Sequence, residues 1–317
     1  FCLNHENTPL SNKISNFPRK SDEKKQILYG YDGYLKTRVQ LYDSFSKKER
    51  KRSIRKIIKS QGEKRVFPIL HTYFARQICQ KENSLIGLGA ILPDLGTLMG
   101  LERKAAHEMG QYLLPFCREH YPQQLDFALA YASHGTKPAC LDYFADENWQ
   151  KGPKGYCFQK AEHYKERVKE ACNLPDMWAI WKGHNFVEMS FELLTLQEDS
   201  RSNRFLLRCL EDKNAIEEAI TIYHAFCGVD KNAMRQAVLK SREIFCIEIV
   251  TPEHLALHYA RQLYRRHEIT GVQIEKAARI IEDMQKDLRS DFVPFLQEAA
   301  RESKKALAPY LIEKEQF

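Results

Sequence analysis

The chain has 317 residues, of which 43% are hydrophobic and 29% charged, and its net charge is +7. This composition is typical of globular proteins and excludes a wholly disordered chain. No run approaches the roughly 18 apolar residues of a membrane-spanning helix. Only 14 glycines and 12 prolines occur, which favours helices over a turn-rich β-protein. We therefore expect an all-α, multi-helix bundle.

The excess positive charge lies entirely in residues 1–65, which hold 17 Lys and Arg against 7 Asp and Glu. The region begins as an irregular polar arm and continues into a predicted basic helix at 45–60. Three isoleucines give this helix a narrow apolar stripe: Ile54, Ile57 and Ile58. Such a helix suits an anionic membrane surface or nucleic acid, although this pattern more often belongs to a solvated surface helix that docks on its own protein.

Helical periodicity dominates the rest of the chain. A loop is predicted where Gly87, Gly89, Pro93 and Gly96 interrupt the pattern, and the Gly- and Pro-containing stretch 135–157 predicts a long but ordered irregular segment. Helices are predicted at 69–80, 101–119, 123–134, 158–172, 175–197, 203–211, 213–227, 231–247, 251–268, 272–287 and 291–314.

These elements suggest three parts: a basic arm (1–65), a helical core with the candidate chemistry (66–200), and C-terminal helices packing on that core (201–317). The nine cysteines are scattered, without a C-x-x-C pair, and most lie in apolar helical contexts. This usage is typical of reduced cysteines that act as small apolar side chains, and it predicts a cytoplasmic protein.

The central part concentrates metal-ligand side chains in apolar or aromatic surroundings. Buried ionisable groups are costly unless they are paired or bind a metal. His184 and Glu188 are four residues apart, so on a helix they share one face and can reach one cation. Histidines and carboxylates in this number suit two or three ions of the zinc type, with a site in the bundle core. The candidate ligands are His71, Asp94, His107, His134, Asp142, His184 and Glu188.

The order of these residues resembles the zinc-dependent phospholipase C family over roughly residues 66–200. The shared features are a helical His, a Pro-Asp turn, a second His, a His before a glycine-rich loop with Asp, and a final His-x-x-x-Glu. The resemblance implies an all-helical fold and a zinc site like that of the related single-strand nucleases. It makes the seven candidates metal ligands and Asp94 also the general base. The family's His-x-x-x-Asp is absent here, since Asp142 follows His134 by eight residues, and His163 is the candidate for a remaining family histidine.

The sequence thus favours a metal-dependent hydrolase of phosphoric esters with two or three zinc ions, iron or manganese being alternatives. The predicted helix at 45–60 would hold the enzyme to an anionic lipid face or a polynucleotide. Two other hypotheses stay open: a non-catalytic binding protein whose helices the metal staples, and an iron enzyme on the same scaffold.

Overall fold

The computed structural model describes residues 67–311 apart from residues 151, 153 and 246. The predicted basic helix at 45–60 lies outside the described residues, together with the rest of the basic arm.

The described residues form thirteen α-helices and contain no β-strand, which confirms the predicted all-α class for this part of the chain. A π-helical turn at Tyr143–Glu147 interrupts the long segment between the fifth and sixth helices. The helices are α1 (Pro68–Cys79), α2 (Ser84–Leu95), α3 (Arg103–Glu108), α4 (Gly110–His120), α5 (Leu125–His134), α6 (Tyr156–Ala161), α7 (Lys165–Cys172), α8 (Ala179–Glu198), α9 (Ser202–Glu211), α10 (Lys213–Cys227), α11 (Lys231–Ile244), α12 (Pro252–His267) and α13 (Ile274–Leu311).

Helix α8 lies at the centre of the bundle and packs against α1, α6 and α13. Much of its surface is apolar and buried, as expected of a central helix rather than one with a solvent face. Phe191 of α8 packs on Phe292 and Phe295 of α13, with ring centroids 5.0 and 5.5 Å apart. The two longest helices therefore share one aromatic core.

The predicted loop at Gly87–Gly96 is wrong, because most of this segment is helix α2. Asn83 caps the helix by accepting a hydrogen bond from the amide of Ile86, 3.0 Å away. The glycines allow close packing instead of breaking the helix: a Cβ on Gly87 would lie 2.4 Å from Cys209 Sγ, and one on Gly89 would lie 2.5 Å from the Phe127 carbonyl oxygen. Their neighbours are distant in sequence, so the local pattern does not reveal them.

The single helix predicted at 101–119 is divided into α3 and α4. In a continuous helix the amide of Gln111 would donate to the carbonyl of His107. Here the Gln111 amide donates to the carbonyl of Lys137 (3.1 Å), and the His107 carbonyl accepts from the amide of Thr136 (2.9 Å). The helix opens because the loop after α5 takes over both hydrogen-bonding groups.

The two helices predicted at 272–287 and 291–314 are one continuous helix, α13. Pro294 lies inside it, and a proline there removes one backbone hydrogen bond. The buried stripe that includes Met284, Leu288 and Phe292 continues through the predicted gap. Packing of this stripe on α8 keeps the helix intact.

None of the described helices combines the length and apolar character needed to span a membrane.

The seven described cysteines are free, and all except Cys227 are buried. They pack as small apolar side chains, as predicted.

Candidate metal centre

His71 lies in the first turns of α1, and the start of this helix is fixed by a residue of α8. The buried carboxylate of Glu192 accepts hydrogen bonds from the amides of Ile69 (3.4 Å) and Leu70 (2.8 Å). Negative charge at a helix N-terminus is favourable, because the unpaired amides there carry partial positive charge. Glu192 therefore joins α8 to the helix that presents His71.

Asp94 and His134 come from the ends of two helices that pack together, α2 and α5. The Nδ1–H of His134 donates to the carbonyl of Ala90, 2.6 Å away. A backbone acceptor of this kind fixes the tautomer and directs the other ring nitrogen. The Nε2 atom of His134 lies 3.4 Å from Oδ2 of Asp94.

His107 is oriented in the same way by its own helix. Its Nδ1–H donates to the carbonyl of Arg103 (2.8 Å), and its Nε2 lies 3.2 Å from Asp94 Oδ1. The loop after His134 passes so close that a Cβ on Gly135 would lie 2.2 Å from the His107 carbonyl oxygen. Only glycine permits this approach, which holds α3 against the end of α5.

Asp142, immediately before the π-helical turn, faces all three imidazoles. Its Oδ1 lies 3.5 Å from Nε2 of His71, and its Oδ2 lies 3.3 Å from Nε2 of His107 and 3.6 Å from that of His134. The rings of His71 and His134 are stacked, with centroids 3.6 Å apart. Five side chains thus converge, and we name them the first ligand group: His71, Asp94, His107, His134 and Asp142.

The spacing within the first ligand group matches that of metal ligands. Nitrogen and oxygen ligands of tetrahedral zinc, each bonded at about 2.0–2.2 Å, are about 3.3–3.6 Å from one another. The imidazole-to-carboxylate distances here are 3.2–3.6 Å. The Nε2 atom of His134 is buried and makes no hydrogen bond. These residues could therefore hold a metal ion, as their grouping indicates.

Burial is the largest influence on the imidazoles of His71 and His107. It lowers the pKa of His71 to about 3, with a further contribution from His134, and it is also the largest cause of the lowered pKa of His107. Burial acts to raise the pKa of Asp94 and Asp142, but the facing histidines outweigh it, so the pKa of both carboxyls lies below its ordinary value. Neutral imidazoles and ionised carboxylates are the forms that bind metal ions.

Three further side chains form a second ligand group: Asp146, His184 and Glu188. Each offers a ligand atom within 4.8 Å of the others. His184 and Glu188 lie one turn apart on α8, and Asp146 comes from the π-helical turn. The ring of Phe158 stacks on that of His184 with centroids 4.3 Å apart, so an aromatic face fixes the plane of the imidazole.

A hydrogen-bond chain supports the second group from behind. The Nδ2 of Asn185 donates to Nε2 of His184 (2.9 Å) and to Oε2 of Glu188 (3.1 Å). The hydroxyl of Tyr259 on α12 donates to Oδ1 of Asn185 (3.2 Å). Supporting contacts of this kind orient metal-ligating side chains in many proteins.

The two groups are neighbours, because one guanidinium nitrogen lies close to a carboxylate oxygen of each group. The Nη2 of Arg103 lies 3.7 Å from Asp142 Oδ2 and 3.9 Å from Asp146 Oδ2. Asp94, Asp142, Asp146 and Glu188 all raise the pKa of Arg103, although burial, the largest single influence, acts to lower it. The guanidinium therefore lies in the field of both groups.

The structure places five of the predicted ligands in the first group, and His184 and Glu188 in the second. His163 is exposed on the turn Glu162–Tyr164 and belongs to neither group. Sequence reasoning missed Asp146 and Arg103. Their spacing was a usable signal, since Asp146 follows Asp142 by four residues and Arg103 precedes His107 by four.

Comparison with known proteins gives no match for this chain among family models, curated proteins or solved structures.

Proposed function

We propose that this chain is a metal-dependent hydrolase of phosphoric esters, most simply diesters, with two or three zinc-type ions. The supporting observation is the convergence of imidazole nitrogens and carboxylate oxygens in the first ligand group. His107 and His134 each donate Nδ1–H to a backbone carbonyl, so their Nε2 atoms face carboxylate oxygens 3.2–3.6 Å away. Imidazole nitrogen and carboxylate oxygen at this spacing are the donors that a zinc-type cation would bind.

The donor set suggests how the ions would be divided. His107 and His134, with Asp94 and Asp142, offer two nitrogens and two carboxylates, a complete tetrahedral set. The second ligand group offers one imidazole and two carboxylates, which leaves a position for water or substrate, as catalytic zinc sites do. Oδ1 of Asp142 and Nε2 of His71 would serve a third ion. Manganese or iron would also accept these ligands.

Bound ions of this kind lower the pKa of water and neutralise charge on a phosphoryl group. The protein residues do the remaining work. Asp94 has two carboxylate oxygens in the first group; one would bind an ion, and we assign to the other the proton of the attacking water. Backbone carbonyls and Asn185 keep the imidazoles in fixed orientations, so that the ligands need little reorganisation during the reaction.

The substrate class proposed is a phosphate ester of a lipid or a polynucleotide. The basic residues at 45–60 would add electrostatic attraction to either surface. A cytoplasmic location remains part of this proposal.

A purely structural metal is the second candidate, and burial favours it. The side chains of the first ligand group are only 0–8% exposed, as is common for ions that staple helices together. An oxygen-dependent iron enzyme is the remaining alternative. Turnover of phosphate esters separates the hydrolase from the structural metal, and iron in the purified protein would identify the iron enzyme.

The test measures hydrolysis of bis(4-nitrophenyl) phosphate, phosphatidylcholine and single-stranded DNA by the zinc-loaded full chain. Asp94→Asn keeps the shape and a weak oxygen ligand but cannot accept a proton, so we expect turnover to fall about 100-fold or more with the fold retained. The matched control is Asp126→Asn on α5, whose carboxylate pairs with Lys81 away from both ligand groups. A metal-loaded wild type that hydrolyses none of the three substrates would contradict the hydrolase and favour the staple.

A further inference from the structure

Arg103 stands between the two ligand groups without satisfying its own hydrogen-bonding capacity. Its contacts to Asp142 and Asp146, at 3.7 and 3.9 Å, are ion pairs longer than a hydrogen bond. Its Nε is buried and makes no hydrogen bond. The guanidinium is therefore attracted to both carboxylates, while its N–H groups remain available for another acceptor.

The position of Arg103 is fixed by the same turn that carries a candidate ligand. Arg103 begins α3, and its carbonyl accepts the Nδ1–H of His107. Its side chain is 35% exposed, whereas those of Asp142 and His107 are 8% and 2% exposed. A ligand approaching from solvent would meet the guanidinium beside the buried ligands.

Charge balance gives the sign of that ligand. Asp94, Asp142, Asp146 and Glu188 carry four negative charges as ionised ligands, which two divalent cations would neutralise. Arginine stays charged at any physiological pH, so a positive charge remains. Once cations occupy the carboxylates, the attraction that holds the guanidinium to them weakens, and an anion becomes its best partner.

We propose that Arg103 binds a phosphoryl oxygen of the ester held at the metal centre, and that in the two-ion form its single charge matches the one negative charge of a phosphodiester. This inference rests on the proposed function. The planar guanidinium suits the task, because its paired N–H groups match two oxygens of a phosphate. Arg103 does not need to coordinate a metal ion for this.

The test uses the zinc-loaded full chain and inorganic phosphate as the probe, with affinity measured by calorimetry and metal content by elemental analysis. In Arg103→Gln we expect metal content to be unchanged and the dissociation constant for phosphate to rise about 10- to 100-fold, as for the loss of a charge-assisted hydrogen bond. Arg103→Lys, which keeps the charge without the fork, should be intermediate. The matched control is Lys104→Gln, a neighbouring lysine that is 76% exposed and loses the same charge.

Kinetics provide a second measurement. With bis(4-nitrophenyl) phosphate as substrate, Arg103→Gln should raise KM by a factor similar to the loss of phosphate affinity, and Lys104→Gln should not. Unchanged phosphate affinity in Arg103→Gln would contradict the proposal. Loss of bound metal in the same variant would also contradict it, because Arg103 would then support the ligands instead. A wild-type chain that binds no metal would refute the proposed function, which is a different outcome.

Discussion

Backbone carbonyls orient two imidazoles of the first ligand group, those of His107 and His134. In both His107 and His134 the Nδ1–H is taken by a carbonyl of a nearby helical residue, Arg103 or Ala90. The remaining nitrogen can then point in one direction only, toward the carboxylates. The Arg103 carbonyl lies on the same helix as His107, whereas that of Ala90 is 44 residues away from His134 and could not be assigned from the sequence.

Candidate ligands could be predicted because ionisable residues stood out in apolar stretches. The structure buries most of them beside one another, since an unpaired buried charge would be costly. Asp146 and Arg103 were missed although each lies four residues from a candidate ligand, because spacing alone does not show that they reach the ligand groups. The fold brings both residues to the ligand groups. Asp146 lies in a segment whose Gly and Pro content predicted an irregular chain. Its π-helical turn brings Asp146 to α8, a placement that local sequence does not encode.

His267, which lies outside both ligand groups, contacts the buried side chain of Lys182. Lys182 donates from Nζ to Nε2 of His267 at 2.9 Å, and the same ammonium lies 3.9 Å from the ring centroid of Trp181. Burial, then Lys182 and Arg266, lowers the pKa of His267 from 6.5 to about 4. The imidazole is therefore neutral above about pH 4 and accepts a hydrogen bond from the ammonium of Lys182.

This pair predicts a pH dependence of stability. As the pH falls below 6.5, the unfolded chain protonates His267, whereas the folded chain does so only near pH 4. The contribution to the free energy of unfolding is complete above pH 6.5 and decreases between pH 6.5 and 4. His267→Gln cannot take up this proton, so we expect it to lose less stability than wild type between pH 7.5 and 5, measured by urea denaturation. Equal losses in the two proteins would contradict the prediction.

At the scale of elements, helix types and approximate ends follow from periodicity, but helix continuity depends on partners. Glycines in α2 indicated a loop, yet they are where α2 meets Cys209 and Phe127. The predicted helix at 101–119 opens because residues 136 and 137 compete for its hydrogen bonds. In each case a segment distant in sequence decides the outcome.

The start of α1 offers a test at this scale. Glu192→Ala leaves the amides of Ile69 and Leu70 buried without their acceptor, so we expect the free energy of unfolding to fall by about 1–3 kcal/mol. Zinc affinity should fall as well, because α1 carries His71. Urea denaturation and zinc titration provide the two measurements.

The control for Glu192→Ala is Glu198→Ala, an exposed glutamate on the same helix, for which a change within about 0.5 kcal/mol is expected. If both variants behaved alike, the carboxylate of Glu192 would not be what holds α1 in place.

Across the whole molecule, residues separated by more than a hundred positions converge on one centre. The convergence depends on α8, which contacts α1 through Glu192 and carries His184 and Glu188, and on the packing of α5 against α1 and α2. A bundle of this kind can place ligands from several helices in its interior. The positions of these side chains, and not the helical fold alone, point to a function.

Elemental analysis of the purified full chain, refolded or incubated with zinc and then dialysed, measures whether the two ligand groups bind metal. We expect about two or three equivalents of tightly bound zinc in the wild type. His107→Ala should lose at least about one equivalent. His224→Ala should lose none, because its Nδ1 donates to the carbonyl of Val229 away from both ligand groups. A wild type with less than about half an equivalent of any transition metal, or an equal metal content in His107→Ala, would contradict a metal centre.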